Sequence, residues 1–482
     1  MIGASRLIAA AALGGVLGCV ADRAAGPPND HAPPSILAVQ VAPNPLNALS
    51  LTVTVRAVHA DSVRAWVVGD SIEAPPVAPV RGDSARLVVL GLRPTTSYTL
   101  RVEAANVVGD TARKIVTATT DDVPPLLRGV RLAGGRAPSQ GFTLVVPVQF
   151  GPPDRAWLLA FDRAGDLRWY REFDGEGWGV EAKQLPNGDF AMYVGASYGW
   201  QPSSGRFVEF AASGEEVRSF RVDAPAFTDP HEALFTFRDS AIVTAHLLGY
   251  ELRTVDLSAV GGAAAATLAV HVIERVSSAG PAEIVWNAGD HYSVSDWPVA
   301  NPRQPDLVHP SSLALAPDGN YVISLQAVDE VAKIDARTGA LLWRLGGRNN
   351  QFAFPDDPYG GIQGQHSVQL LANGNLLLLD DRPRAPAQGA RAVEYALDVD
   401  ARVARLVWAY RPVPTIVSPI MGSVQRLSNG HTVVGFGVSG RVDEVDGDGV
   451  AITSATLVDA LGARIEFYRA LRIASLHRYA AP

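Results

Sequence analysis

The sequence contains one cysteine among its 482 residues, Cys19, so no disulfide can form within the chain. It also lacks an excess of positive charge, because 41 basic residues stand against 49 acidic ones for a net charge of -8. A nucleic-acid binder is usually basic. The apolar run at 7–18 is shorter than the roughly 20 residues that a membrane-spanning helix needs. These absences exclude a disulfide scaffold, argue against a nucleic-acid partner and require hydrophobic cores to hold the fold.

The N-terminus has the composition of an export signal. Arg6 is followed by the small and apolar run 7–18, and Cys19 comes directly after it. A charged start, a short apolar stretch and small residues before a cleavage point are typical of a secretory signal peptide. The sequence therefore predicts a signal peptide at 1–18 that is removed from the mature protein.

Cys19 closes a tetrad, 16–19, that resembles a lipobox. Because an unpaired cysteine in an exported protein is a reactive liability, lipidation explains its presence better than chance does. Val20 follows it in place of an aspartate, which by resemblance to lipoprotein sorting favours the outer membrane. We expect an exported protein anchored to the cell envelope by a lipid on Cys19, with residues 19–34 as a flexible tether.

Glycine and proline are abundant, at 45 and 34 residues, which predicts many turns and few long helices. The segments 51–55 and 98–102 alternate apolar and polar residues with the period of a half-buried strand. The segment 92–98, ending in Tyr98, resembles the tyrosine corner of a fibronectin type III sandwich, in which the buried hydroxyl finds a backbone partner. Residues 35–121 are therefore predicted to form a small β-sandwich that serves as a spacer or a homodimer contact.

From about residue 130 to the end, two turn signals recur in order. Asn-Gly and Asp-Gly pairs tolerate the positive φ angles of tight turns between strands. The first signal occurs at Asn187-Gly188, Asp318-Gly319, Asn373-Gly374 and Asn429-Gly430, and the second, an aspartate-to-tryptophan pattern, at 162–169 and 335–343. Two hairpins per unit, repeated roughly every 40 to 60 residues, are typical of β-propeller blades. We predict an all-β protein in which residues 122–482 form a propeller of about six blades, since a large irregular sandwich gives no reason for the repeat.

Histidine occupies one position ahead of three of these turns. The spacing is similar in each: His366 before Gly374, His309 before Gly319 and His231 before the weaker turn Asp239-Ser240. Val180 and Gly422 hold that place in two other copies, so the blade itself does not require histidine. If this strand is the innermost one of each blade, the three imidazoles converge on a central channel.

Four segments carry a resemblance to a known family. Residues 306–313, 331–335, 343–347 and 364–368 look like successive blades of the bacterial aryl-sulfate sulfotransferase family. The resemblance implies a six-bladed propeller behind a small β-sandwich, with no cofactor. It implies an enzyme that moves a sulfuryl group from an aryl sulfate donor to a phenolic acceptor without the nucleotide sulfate donor.

The same resemblance implies roles for the three histidines. His366 corresponds to the nucleophile, which carries a transient sulfohistidine. His309 and His231 correspond to the two further channel histidines, which we expect to stabilise the sulfuryl oxygens or to protonate the departing phenolate.

Gln326 departs from the family pattern, because it stands in the segment 323–328 where the family has an arginine. A glutamine can donate hydrogen bonds to a sulfate oxygen but brings no charge, and charge-assisted bonds are about twice as strong as neutral ones. Either another cation substitutes, for which Arg344, Arg382 and Arg384 are near in sequence, or the activity is reduced or altered.

Two other functions stay open at this point. Three convergent histidines could bind zinc or copper, although no carboxylate lies at a fixed short spacing to complete the usual ligand sets. A propeller could also bind a ligand or a partner at its channel without transferring sulfate, since a fold does not fix a function.

Other side chains are placed by the same reasoning. His291 and His431 lie off the histidine register and are expected to be structural or exposed, and Asp380-Asp381 is expected to form a strand-end turn. An aromatic substrate needs an apolar wall with few polar groups, for which the candidates are Tyr292, Trp297, Phe352 and Phe354.

Overall fold

The structure is a computed structural model that describes residues 32–195, 204–277, 280–301, 303 and 306–477. The described chain is all-β, with no α-helix and six short 3₁₀ helices: Pro125–Leu127, Ser258–Val260, Ala288–Asp290, Val294–Asp296, Gln326–Val328 and Gly437–Ser439. None of its helices is long and apolar enough to cross a membrane. The predicted signal peptide, Cys19 and most of the tether lie outside the described residues.

The first seven strands form two facing sheets with one core. Their bounds are β1 Ser35–Asn44, β2 Asn47–Val58, β3 Ser62–Val67, β4 Ala78–Pro79, β5 Ser84–Val89, β6 Ser97–Ala105 and β7 Thr111–Thr119. One sheet has the order β1-β2-β5 and the other β4-β3-β6-β7. The alternating segments 51–55 and 98–102 fall in β2 and β6, with their apolar side chains buried in that core, which confirms both predicted strands.

The predicted tyrosine contact is present in this N-terminal unit. Tyr98 is buried, and its hydroxyl oxygen accepts a hydrogen bond of 2.8 Å from the backbone N–H of Arg93. A buried phenol needs such a partner, because an unpaired buried polar group is costly. The unit also packs against the rest of the chain, where the backbone N–H of Ala48 donates to the hydroxyl of Tyr170 at 3.0 Å.

The remaining strands form six antiparallel sheets. Their bounds are β8 Arg131–Gly134, β9 Phe142–Pro147, β10 Arg155–Phe161, β11 Leu167–Asp174, β12 Trp178–Gln184, β13 Phe190–Gly195, β14 Arg206–Phe210, β15 Glu216–Phe220, β16 Phe227–Arg238, β17 Ala241–Val255, β18 Ala266–Ser277, β19 Glu283–Asn287, β20 Pro310–Leu315, β21 Tyr321–Leu325, β22 Glu330–Ile334, β23 Leu341–Gly346, β24 His366–Leu370, β25 Leu376–Asp380, β26 Arg391–Asp398, β27 Val403–Tyr410, β28 Ser423–Arg426, β29 Thr432–Phe436, β30 Arg441–Val445, β31 Ala451–Val458 and β32 Phe467–Ile473.

Four of the sheets have their strands in chain order, and two also take in a strand from the opposite end of the chain, β32 or β8. The orders are β32-β9-β10-β11, β12-β13-β14-β15, β16-β17-β18-β19, β20-β21-β22-β23, β24-β25-β26-β27 and β28-β29-β30-β31-β8. The strands β12, β16, β20, β24, β28 and β32 contact one another in that sequence, and β32 returns to β12. These six strands therefore line a closed ring, which we call the inner ring. Strands next to it, such as β13, β21 and β25, are buried along their whole length, because neighbouring sheets cover both of their faces.

The turn signals lie where the sequence predicts them. Gly188, Gly319, Gly374 and Gly430 have φ between +81° and +93° and join the first strand of a sheet to the second. Gly165 and Gly339 from the second signal, with φ of +84° and +72°, join the third strand to the fourth. These positions confirm that each repeat contains two hairpins in a fixed order.

The last strand closes the ring. β32 pairs antiparallel with β9, the first full strand of the ring, with Ala470 opposite Val145. On the other side, β8 adds to the outer edge of the sixth sheet through β31. The first and last strands of the C-terminal part, β8 and β32, are thus both hydrogen-bonded into its sheets.

Candidate functional site

His366 begins the inner strand β24 in a tightly constrained backbone. Gly364 and Ser367 on either side have φ of +62° and +54°. A Cβ at position 364 would lie 2.5 Å from Cδ of Pro383, so only glycine fits there without rearrangement. Residues in sparsely populated conformations often cluster at functional sites.

Two contacts set the hydrogen position on the His366 ring. Nδ1 lies 2.6 Å from Oδ2 of Asp381, and the backbone N–H of Met421 donates to Nε2 at 3.4 Å. Because a backbone N–H can only donate, Nε2 must carry a lone pair and Nδ1 the hydrogen. Asp381 accepts that hydrogen, and His366 is held as a neutral imidazole with Nε2 as its nucleophilic atom.

His309 immediately precedes the inner strand β20. Its Nδ1 lies 2.8 Å from Oδ2 of the fully buried Asp306. Its own φ is +48°, and its carbonyl oxygen accepts a hydrogen bond of 2.8 Å from the backbone N–H of Gln326.

His231 lies within the inner strand β16, and its ring centroid is 4.8 Å from that of His309. Its Nδ1 lies 2.8 Å from Oδ1 of Asp229. The other oxygen of that carboxylate faces Nε2 of the fully buried His271 at 3.2 Å. The structure therefore brings His231 and His309 together, and both are close enough to His366 for their charges to influence its pKa.

The three histidines converge as the repeat predicted, but the aspartates that contact their rings were not predicted. Asp229 and Asp306 precede His231 and His309 by two and three residues, a signal that the sequence contains. Asp381 follows His366 by 15 residues and is brought back by the β24–β25 hairpin. Asp381 lies directly after β25, at the strand end expected from the sequence, and the hairpin also delivers its carboxylate to the His366 ring, a contact that was not predicted.

Gly422 shows why one sheet has no histidine at this position. Its φ is +113°, and a Cβ there would lie 2.5 Å from the carbonyl oxygen of Gly435. The absence of a side chain lets the Met421 backbone approach His366. Val180, in the second sheet, is buried at its equivalent place.

A buried ionic cluster lies directly beside the histidines. Nη1 of Arg469 contacts Oε2 of Glu181 at 2.6 Å and Oε2 of Glu232 at 2.8 Å. Lys183 contacts the other oxygens of both glutamates. Nη2 of Arg469 donates to the carbonyl oxygen of His231 at 3.3 Å. These four residues also border a cavity of about 520 Å³ within the inner ring.

Arg469 and its neighbour Tyr468 come from the closing strand β32. The hydroxyl of Tyr468 donates to the carbonyl oxygen of His231 at 3.4 Å, and its ring centroid lies 5.9 Å from that of His231. Neither residue follows a turn signal, so the repeat could not indicate them.

The three histidines differ in their affinity for a proton. Burial lowers the pKa of His366 well below its usual range, and the charges of His309, His231 and Arg469 lower it further. Burial also lowers the pKa of His231, against the opposing effect of Asp229. Burial acts in the same direction on His309, but the charge and hydrogen bond of Asp306 outweigh it and raise the pKa of His309. His309 is therefore the member of the group that holds a proton most readily.

Gln326 lies at the histidine end of the ring, as its place in the sequence predicts. Its Nε2 is 3.7 Å from the point where a Cβ of residue 364 would stand. The three arginines considered as replacements for its missing charge are tied to carboxylates: Arg344 to Glu330, Arg382 to Asp380 and Arg384 to Asp329.

The remaining candidates lie in structural surroundings. The four aromatic side chains proposed as a substrate wall pack in cores or hydrogen-bond there: Tyr292 to Glu330, Trp297 to the Leu307 carbonyl, Phe352 against Trp343 and Phe354 against Tyr395. His291 stacks on Trp286, and His431 contacts Glu444, which confirms their structural assignment. In the described residues, no group of three or more His, Cys, Asp and Glu side chains has an arrangement that could hold a metal ion.

Comparison with known proteins gives one family match. The model of the arylsulfotransferase (ASST) family matches residues 223–457, a stretch that contains all three histidines and Gln326. This match covers just under half of the chain and supports a relationship to arylsulfotransferases over that stretch. Among curated proteins, none matches the sequence significantly.

Solved structures resemble the chain more distantly. A protein of unknown function from Bacteroides caccae has a TM-score of 0.42 at 14% identity, covering 69% of this chain and 98% of its own. A streptogramin B lyase has a TM-score of 0.36 at 10% identity, with 72% and 96% covered. A protein of unknown function from Bacteroides thetaiotaomicron has a TM-score of 0.31 at 12% identity, with 89% and 99% covered.

Proposed function

We propose that this protein is an aryl-sulfate sulfotransferase that works through a sulfohistidine on His366. The observation that carries the proposal is the fixed state of this ring, in which Asp381 holds Nδ1 and Nε2 presents a lone pair. A neutral imidazole is a competent nucleophile near pH 7. The buried His231 and the partly buried His309 stand beside it, each aligned by its own aspartate.

In the first half-reaction, the donor displaces the long hydrogen bond of the Met421 N–H, and the freed lone pair of Nε2 of His366 attacks the sulfur of the aryl sulfate. The bond from sulfur to the phenolic oxygen breaks, and its electron pair leaves on the phenolate. His309, whose pKa is raised because Asp306 outweighs the effect of burial, donates the proton that the phenolate takes up. Sulfuryl transfer resembles phosphoryl transfer, in which positioning and stabilisation of the equatorial oxygens do most of the work.

In the second half-reaction, the hydroxyl of an acceptor phenol attacks the sulfur of the sulfohistidine. Its proton passes to His309, which became neutral in the first step, so the acid and the base are the same residue by microscopic reversibility. His231 and the side-chain amide of Gln326 act as hydrogen-bond partners of the sulfuryl oxygens. The ring of His366 returns to its neutral form with the hydrogen on Nδ1.

We assign the six sheets around the inner ring to a six-bladed β-propeller, residues 122–482, and the seven-stranded unit, residues 35–121, to a fibronectin type III-like domain. The contacts of the six inner strands in a closed cycle support the first assignment. The two-sheet topology and the Tyr98 hydrogen bond support the second. We further propose that a lipid on Cys19 anchors the protein to the outer membrane, so that the enzyme acts within the cell envelope.

The function is tested with purified protein, an aryl sulfate donor and a phenol acceptor. We expect a sulfated acceptor from the wild-type protein and none from a His366→Ala variant of unchanged fold, and a sulfohistidine trapped by rapid quenching when the acceptor is omitted. His431→Ala is the matched control, since this histidine contacts Glu444 on another strand of the sheet and should leave turnover intact. No transfer over a broad set of donors by folded, metal-analysed protein would refute the proposal and favour a binding role.

A further inference from the structure

The loop after β25 folds over the segment that leads into His366. The backbone N–H of Arg384 donates to Oε1 of Gln363 at 2.8 Å. Its guanidinium pairs with Asp329 through Nη2. The other oxygen of Asp329 accepts a hydrogen bond of 2.7 Å from the backbone N–H of Gly364, two residues before His366. Arg384 is therefore fixed at its backbone and at its guanidinium beside the segment that leads into His366.

Arg384 differs from the other arginines at this end of the ring. Its side chain is 33% exposed, against 14% for Arg344 and 7% for Arg382. Arg382 has its guanidinium occupied by Asp380, Gln388 and the carbonyl of Gly361. In the part of the chain that the structure describes, the Nε and Nη1 groups of Arg384 have no hydrogen-bond partner, so they can meet a ligand from solvent.

The charges around the histidines indicate a role for Arg384 in binding a negatively charged substrate. Arg469 is the buried guanidinium nearest the histidines, and two glutamates neutralise it. Gln326, next to Gly364, adds hydrogen-bond donors without charge. An aryl sulfate carries a full negative charge, whereas a phenol acceptor is neutral, so the two substrates should depend on a cation at the mouth to different degrees.

We propose that Arg384, positioned by Asp329, recognises the sulfate group of the incoming donor at the mouth of the histidine site. This inference rests on the proposed function and makes Arg384 a determinant of donor specificity. Its free Nε or Nη1 group can donate a charge-assisted hydrogen bond to a sulfate oxygen, and Asp329 limits its motion before the donor arrives.

The test measures the KM for the donor and the KM for the acceptor separately by steady-state kinetics. Arg384→Gln should raise the KM for the aryl sulfate about tenfold, the loss of one charge-assisted hydrogen bond. It should leave kcat and the KM for the phenol within about twofold. Arg405→Gln is the matched control, because Arg405 lies in the outer strand β27 in an exposed ion pair with Asp356. Gln326→Arg added to Arg384→Gln should recover a large part of the lost donor affinity, since it returns a cation beside Gly364.

Some results would overturn the inference. Equal changes in the donor and acceptor KM, or a fall in kcat alone, would show that Arg384 acts only through the structure of the loop. Direct titration of the donor into His366→Ala protein, with and without Arg384→Gln, removes the dependence on turnover. A donor that binds this protein and loses affinity with Arg384→Gln supports the inference even where transfer itself is not found, and equal binding by both proteins refutes it.

Discussion

Replacement of Asp381 by asparagine tests the arrangement of His366 most directly. The carboxylate is fully buried, its Oδ2 lies 2.6 Å from Nδ1 of His366, and its Oδ1 has no hydrogen-bond partner in the described residues. Nothing therefore holds an amide with its oxygen toward the ring. If the NH₂ group turns to Nδ1, the hydrogen moves to Nε2 and the nucleophilic lone pair is lost.

Burial and the charge of Asp380 raise the pKa of Asp381, so its carboxylate readily takes up the Nδ1 hydrogen when the imidazole gains positive charge on attacking sulfur; an amide cannot do this, and the change acts in the same direction. Comparable replacement in hydrolytic triads costs about 10⁴-fold in kcat, and we expect a fall of at least about 10³-fold here, or about 4 kcal/mol. Stability should change little, since the side chains have the same shape.

Stopped-flow release of a chromogenic phenol from an aryl sulfate measures this first half-reaction. The matched control is Asp443→Asn, another buried aspartate, whose carboxylate accepts from the hydroxyl of Tyr410 at 2.7 Å in the sixth sheet. It should lower the unfolding midpoint and leave the rate of phenol release unchanged. The reasoning is refuted if Asp381→Asn loses less than about tenfold in rate, or if Asp443→Asn loses as much.

Three further predictions concern the pH profile and the stability of the fold. Burial and nearby charges lower the pKa of His366, so the ring stays neutral as the pH falls. The rate of the donor half-reaction should therefore stay constant from neutral pH to below 6.5. A fall in rate centred on the usual histidine value of 6.5 would contradict this. Gly422→Ala places a Cβ 2.5 Å from the Gly435 carbonyl oxygen at a φ of +113°, and should cost about 1–3 kcal/mol in urea unfolding, whereas a neutral result would show that the β28 entry can relax. Tyr98→Phe removes the acceptor of the Arg93 N–H and should cost about 1 kcal/mol, checked by the same method; no loss would mean that water replaces the hydroxyl.

The repeating elements could be predicted from the sequence because their signals are local. Gly188, Gly319, Gly374 and Gly430 occupy turns whose positive φ favours glycine. Equivalent turns define equivalent strands, and the register before them located His231, His309 and His366. The lone cysteine, the export signal and most of the tether lie outside the described residues, so those predictions stay untested.

The groups that complete the site could not be predicted in this way. Asp381 reaches His366 only because the β24–β25 hairpin returns the chain to its start. Arg469 and Tyr468 arrive from a strand whose partner β9 lies more than 300 residues earlier in the chain. The aromatic candidates were chosen by composition, which does not distinguish a core position from a channel wall.

The pairing of β32 with β9 also sets when the site can exist during synthesis. Ribosomes release the N-terminal sheets first, and Arg469, which donates to the His231 carbonyl, emerges only after the five other inner strands. A chain interrupted before β32 lacks this guanidinium and leaves β9 with an open edge, which favours pairing with other chains. The histidine site and the pairing of β9 are therefore completed together, once β32 has been synthesised.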